Sequence, residues 1–326
     1  MDKINNHNRG WKFQFSLWRR WLKFHILRLQ RQQASIKQIV QLIFTHGIVR
    51  PLERYTHYHV RRYHGQMPRE FKPRGAQLAT VVLGVGFGQV PAHAYWFARR
   101  LSRSWSCRVL VLRTPNGGNV DIYGGYNFYH RLALLNQTWV AEVLLPDYQA
   151  GVPIIGLGFS KGGQDLTVLA HQLLQQQGIR LDAVLCISTP WQGSRLWAMS
   201  SLPGAEHFKP DDIHLKAVEA LGQQLRARES IIYRFFCATK ADMIVHPSEA
   251  RFSRPAEDDG ISLAELRTRW YYARPLWCHF GHTALFNFLV YIQIGLEIRA
   301  LVQTQRREHH AELLAANGGS HDQMEE

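Results

Sequence analysis

The chain has 326 residues, 46% of them hydrophobic and 20% charged, which supplies enough apolar surface for one large core and excludes disorder along the whole length. Its four cysteines (Cys107, Cys186, Cys237, Cys278) are too few to staple a chain this long, and none form a Cys-x-x-Cys pair, so a disulfide scaffold and a thiol metal or redox motif are excluded. The formal charge is +14, but residues 1–75 hold 16 Lys and Arg against 3 Asp and Glu while the remainder holds 23 against 22, so the excess belongs to one end and implies an anionic partner, either lipid or nucleic acid.

In chain order, Trp11, Phe15, Trp18, Leu22, Ile26 and Leu29 recur at helical spacing, with Arg19, Arg20, Lys23 and Arg31 mostly off that stripe. A basic helix with aromatic rings on one face suits a membrane interface; the same stripe packed on the protein's own core is the competing reading. It is not a secretory signal, because charge runs through the apolar stretch and no small-residue cleavage site follows. A second amphipathic stretch, 36–49, ends before Pro51, and a His- and Arg-rich run follows at 55–64. From residue 76 the pattern becomes short β-branched runs alternating with helical stretches, the signature of a mostly parallel sheet with helices on both faces. Strands are expected at 78–85, 108–112, 152–156, 181–188 and 231–238, with a weaker last one at 269–273; helices are expected at 92–104 and 162–177. The apolar run 283–296 is too short to span a bilayer and fits a buried helix. This gives a basic helical region 1–75, an α/β domain 76–305 and a polar, frayed tail 306–326.

The stretch Val152-Pro-Ile-Ile-Gly-Leu-Gly-Phe-Ser-Lys-Gly-Gly places Gly158-Phe159-Ser160-Lys161-Gly162 between an apolar strand and a helix. A serine on so tight a turn leaves no room for a Cβ two residues to either side, hence the flanking Gly158 and Gly162. The helix start beneath it favours developing negative charge. With this motif in its strand–turn–helix setting, the sequence over 78–300 resembles the α/β-hydrolase superfamily, in its lipase and esterase branch. Val82-Leu-Gly-Val-Gly-Phe-Gly-Gln is similar to that family's His-Gly-Phe-Gly loop, with Val85 in place of the histidine. The resemblance implies an oxyanion hole made by the backbone N–H groups of Phe87 and Lys161. Ile187-Ser-Thr-Pro-Trp-Gln-Gly-Ser194 is similar to the family's Thr-Pro-x-x-Gly-Ser run, after which the family tends to place a lid; 195–230 is read as a helical, lid-like insertion.

The family's chain order of serine, acid and histidine implies Asp242 as the acid, in Lys240-Ala-Asp-Met-Ile-Val-His-Pro247, with Glu249 and Asp258 as rivals. It implies His282 as the base, in Gly281-His-Thr-Ala-Leu285, with His246 and His279 as competitors. The reaction so implied is acyl transfer from a carboxylic ester, a lipid or acyl ester at a membrane face, with no metal or organic cofactor. An acyltransferase using the same triad is an alternative, as is a non-catalytic binding protein whose basic arm meets nucleic acid. The charge pattern and the lack of a secretion signal lead to the expectation of a cytoplasmic protein, peripheral on the inner membrane face through residues 1–75.

Overall fold

Three central strands are buried at every position, as strands covered by helices on both sides must be: Ala79–Gly84, Ile154–Phe159 and Ala183–Ile187. The structure, a computed structural model, describes residues 68–87, 89, 91–114, 125, 127–194, 197, 203–237, 245, 248–253, 264–265 and 288–318. Among these, seven strands form one sheet: β1 (Glu70–Phe71), β2 (Ala79–Gly84), β3 (Cys107–Val111), β4 (Ile154–Phe159), β5 (Ala183–Ile187), β6 (Ile232–Cys237) and β7 (Ala264–Glu265). Their order is β1-β3-β2-β4-β5-β6-β7, all parallel except β1, which pairs antiparallel with β3. The described helices are α1 (Pro91–Ser104), α2 (Arg131–Gln149), α3 (Lys161–Gln177), α4 (Ile213–Glu229) and α5 (Phe288–Gly318), with a 3-10 helix at Pro203–Phe208.

Alternating strand residues feed two separate cores. Val81, Leu83, Ile155, Leu157, Phe159 and Leu185 face Phe97 and Leu101 of α1 and Ile294 and Ile298 of α5. Val82, Ile154, Val184 and Cys186 face Leu132 and Leu144 of α2, Leu166 and Leu169 of α3, and Leu215 and Leu225 of α4. One carboxylate ties three elements together: Asp147 of α2 accepts from Thr80 Oγ1 of β2 (2.6 Å) and from Arg108 Nη1 of β3 (2.9 Å).

The chain leaves β2 through α1 to β3 on one side, then crosses back through α2 to β4 on the other side of β2. The carboxyl ends of β2 and β4 therefore diverge in their onward connections, which makes them the topological switch point, where doubly wound sheets hold their ligands.

The elements expected from sequence at 78–85, 92–104, 108–112, 162–177, 181–188 and 231–238 are present within one or two residues of those limits, and β4 runs on to Phe159. Two expectations need correction. The insertion 195–230 is not one lid: α4 is the crossover helix from β5 to β6, capped by Asp212 Oδ1, which accepts the N–H groups of His214 and Leu215 at 2.9 Å, and it buries Leu215, Val218 and Leu225. The tail is not frayed from residue 306, because α5 is helical to Gly318. Helix α2 and strand β1 were unread. The weak strand expected at 269–273 and the amphipathic stretches at 11–31 and 36–49 lie outside the described residues. No described helix is long and apolar enough to cross a membrane.

Candidate active site

Strand β4 ends at Phe159 and α3 begins at Lys161, so a single residue, Ser160, makes the whole turn. Its backbone sits at φ 52°, ψ −128°, a left-handed conformation that a residue with a Cβ holds only at a cost of about 1–3 kcal/mol. Two backbone bonds hold it there. Ser160 N–H donates to the Ile187 carbonyl of β5 (2.8 Å), and Gly163 N–H donates to the Ser160 carbonyl (3.1 Å).

The glycines around the serine allow backbones to touch. A Cβ on Gly158 would lie 2.3 Å from Gly163 Cα, and one on Gly162 would lie 2.4 Å from the carbonyl oxygen of Gly84, at the end of β2. On Gly163 it would meet Thr189 Oγ1 at 2.3 Å. These contacts bring the first turn of α3 down onto the ends of β2 and β4, at the switch point of the sheet.

The loop after β2 lies directly against the serine, since a Cβ on Gly86 would come within 2.8 Å of Ser160 Cβ. Gln89 braces that loop from both sides: its Oε1 accepts Gly86 N–H (2.9 Å), and its own N–H donates to the Gly86 carbonyl (3.0 Å). Val85, where the related loops carry histidine, is buried in the sheet core. Stiffening of the loop thus comes from Gln89. Phe87 follows, its ring edge-on to Phe208 (5.2 Å) and Phe128 (5.9 Å).

Lys161 carries a long cation, yet only 1% of the side chain is exposed. Its Nζ lies 2.5 Å from Asp165 Oδ1, one turn along α3, and 4.5 Å from the centroid of the Phe128 ring. The side chain is committed to the interior, while its backbone N–H belongs to the first turn of the helix, the end whose N–H groups stabilise anions. Beside Phe128, burial and then the charges of Asp212 and Asp165 push the Tyr129 hydroxyl well above its usual range, so it stays protonated and donates to the His207 carbonyl (2.6 Å).

A strained serine between glycines, at the carboxyl edge of a central parallel strand, beside the loop of the neighbouring strand, decides the architecture. The fold is that of the α/β-hydrolases. No family model matches the chain, and no curated protein matches it. Solved structures to which it is similar include Bacillus licheniformis lipase BlEst2 in propeptide form, with 13% identity, 56% of this chain and 46% of that one covered, and a TM-score of 0.40. Phospholipase PlaB from Legionella pneumophila, in complex with thio-NAD, matches at 10% identity over 53% and 44% with a TM-score of 0.42. A soluble variant of Saccharomyces cerevisiae monoglyceride lipase, bound to a substrate analogue, matches at 12% over 72% and 90% with a TM-score of 0.44. The match thus spans less than half the length of the first two. At such distance the assignment of an α/β-hydrolase fold stands on the strand order and the elbow.

Of the residues singled out from sequence, Ser160, Lys161, Phe87, Gly158 and Gly162 are brought together around this turn. Asp242, His282 and the rivals Asp258, His246 and His279 lie outside the described residues. Glu249 is described and 95% buried, with its backbone carbonyl accepting Gln192 N–H (3.0 Å). The Thr-Pro-Trp-Gln-Gly-Ser run is packed into the fold. Trp191 is wholly buried against Phe252 (4.6 Å), and Gly193, at φ 82°, lies where a Cβ would meet the Phe208 carbonyl at 2.6 Å. Gly84, Gly86, Gln89 and Gly163 went unassigned in sequence. Their signal was the alternation of glycines in Leu83-Gly-Val-Gly-Phe-Gly and the doubled glycine after Lys161.

Proposed function

We propose that this chain is a serine hydrolase of carboxylic esters, acting through an acyl-enzyme on Ser160. The observation that carries the reading is the backbone of Ser160, strained at φ 52° and ψ −128° on a one-residue strand-to-helix bend at the carboxyl end of β4, beside β2. Ser106, Ser188 and Ser230 also have positive φ, but of these four serines Ser160 makes the strand-to-helix bend between glycines, where a nucleophile gains by having Oγ lifted off the sheet edge next to a helix start. In this reading His282 takes the Oγ proton as the serine attacks the ester carbonyl, and Asp242 fixes the imidazole tautomer and stabilises the imidazolium. The N–H groups of Phe87 and Lys161 hold the tetrahedral oxyanion, each worth roughly 3 kcal/mol of barrier. His282 then returns the proton to the departing alcohol, and water repeats the sequence to release the acid. Support for Asp242 comes from its place five residues past Cys237, where β6 leaves the sheet at the same edge as Ser160.

The proposed substrate is a lipid or acyl ester. Phe87, half-buried next to the serine and edge-on to the core rings of Phe128 and Phe208, favours an apolar acyl group over a charged one. The test is hydrolysis of p-nitrophenyl butyrate and laurate by the intact chain and three variants. Ser160→Ala and His282→Ala are expected to lower kcat by roughly 10⁴-fold or more and Asp242→Asn by about 10⁴-fold. A Ser160→Ala protein as active as the parent overturns the assignment.

A further inference from the structure

By count the residues beyond 75 are close to neutral, but the charges on the folded body are segregated. Along α1 the exposed positions Trp96, Arg99, Arg100 and Arg103 recur at i, i+3, i+4 and i+7, forming one outward stripe. Trp96 is 41% exposed, and the Arg100 guanidinium lies 5.3 Å from the centroid of its ring. Next to the stripe runs the segment before β2, fastened to the helix by Ser102 Oγ donating to the Lys72 carbonyl (2.7 Å), and it adds the exposed Lys72 and Arg74.

Among the described residues these five cations have little compensation. Helix α1 contains no Asp or Glu, and among the described residues the carboxylate that reaches the patch is Glu70, 4.0 Å from Lys72 and already held by Arg108 at 2.8 Å. The crowding registers on Arg103, whose pKa is held below the ordinary guanidinium value by loss of hydration and then by Arg99, Arg74 and Arg100. Like charges at i, i+4 weaken a helix. A stripe that keeps three arginines with no anion of its own is suited to an anion from outside.

An exposed indole between guanidiniums matches the interface of a bilayer, where Trp rests at headgroup depth and Arg meets lipid phosphate. We propose that the outward stripe of α1, with Lys72 and Arg74, docks on a phospholipid bilayer rich in anionic headgroups. The helix starts beside the Gly86 loop and carries its arginines towards the opposite edge of the sheet, so docking leaves the Ser160 edge uncovered. The residues of this surface lie between 72 and 103, on the folded body.

The test is co-sedimentation of the full chain with vesicles of phosphatidylcholine alone, with vesicles containing 30% phosphatidylserine at roughly 0.1 M salt, and retention on a 30-base-pair DNA duplex. The triple variant Arg99→Gln, Arg100→Gln, Arg103→Gln is expected to bind the anionic vesicles about 100-fold more weakly, at about fivefold per cation. Trp96→Ala is expected to weaken them further. A control variant, Lys216→Gln, Arg228→Gln, Arg251→Gln, removes the same charge from the other face of the sheet and is expected to bind as the parent does. All these side chains are exposed, so unchanged melting temperatures verify that the variants fold. Vesicle binding that is unchanged in the triple variant, or that falls equally in the control, overturns the proposal. So does tight retention on DNA with none on vesicles. None of these outcomes depends on ester hydrolysis, which the triple variant is expected to retain in full on a soluble p-nitrophenyl ester.

Discussion

Each glycine around Ser160 has its own neighbour, and the neighbours predict different mutational behaviour. Gly162→Ala would drive a methyl into the backbone of Gly84, at 2.4 Å from its oxygen and 2.6 Å from its carbonyl carbon, and no side-chain adjustment relieves that. It is expected to destabilise the chain by about 3 kcal/mol and to remove activity. Gly163→Ala meets instead the Thr189 side chain, at 2.3 Å from Oγ1 and 3.0 Å from Cγ2. Combining it with Thr189→Ala removes both atoms and should recover most of the loss, as read from urea midpoints of the single and double variants. Equal stability of Gly162→Ala and the parent contradicts the close approach of α3 to β2. The sequence already showed why Gly158 and Gly162 flank the serine. It did not show that Gly86 and Gln89 complete the site, because the contact between the β2 loop and Ser160 joins residues more than seventy positions apart. Nor did composition reveal that Lys161 turns inward. Lysine is almost always exposed, and the pairing with Asp165 beside the Phe128 ring helps make the buried position tenable.

Among the elements, α3 matters most, since its first turn supplies Lys161 and its register sets the bend. The Lys161–Asp165 ion pair, with both side chains 1% exposed, lies in that turn. Lys161→Met leaves a buried carboxylate without its cation and is expected to cost about 3–5 kcal/mol; adding Asp165→Leu should restore most of it, because an apolar pair fills such a site as well as a buried ion pair does. Urea unfolding checks this, and a single variant as stable as the parent contradicts it. Sequence periodicity recovered the strands from β2 to β6 together with α1 and α3, whose apolar positions are both frequent and one-sided. It missed α2, where Leu134, Leu135, Leu145 and Tyr148 are exposed opposite a buried face and Pro146 interrupts the last turn, so the helix shows no clean stripe. Strands β1 and β7 are two residues each and leave no periodic trace. The reading of 195–230 as a lid failed for α4 because an amphipathic helix looks the same whether it covers a cleft or crosses from one strand to the next.

For the molecule as a whole, the sheet order places the serine, the loop after β2 and the exit of β6 at one edge, while the basic stripe of α1 runs away from that edge. The proposed chemistry and the proposed surface attachment thereby fall on different parts of one fold. The uneven charge was legible in the sequence only as an N-terminal excess; the arginines of α1 were hidden in the count because carboxylates elsewhere in the fold balance them. The central claim is that one hydroxyl in this chain is an activated nucleophile. It is tested most directly by reacting the full chain with a fluorophosphonate probe and mapping the modified peptide by mass spectrometry, since the probe reports activation whatever the natural ester is. The account predicts a single stoichiometric adduct on Ser160, lost in His282→Ala; labelling elsewhere, or none while the protein is folded, would contradict it.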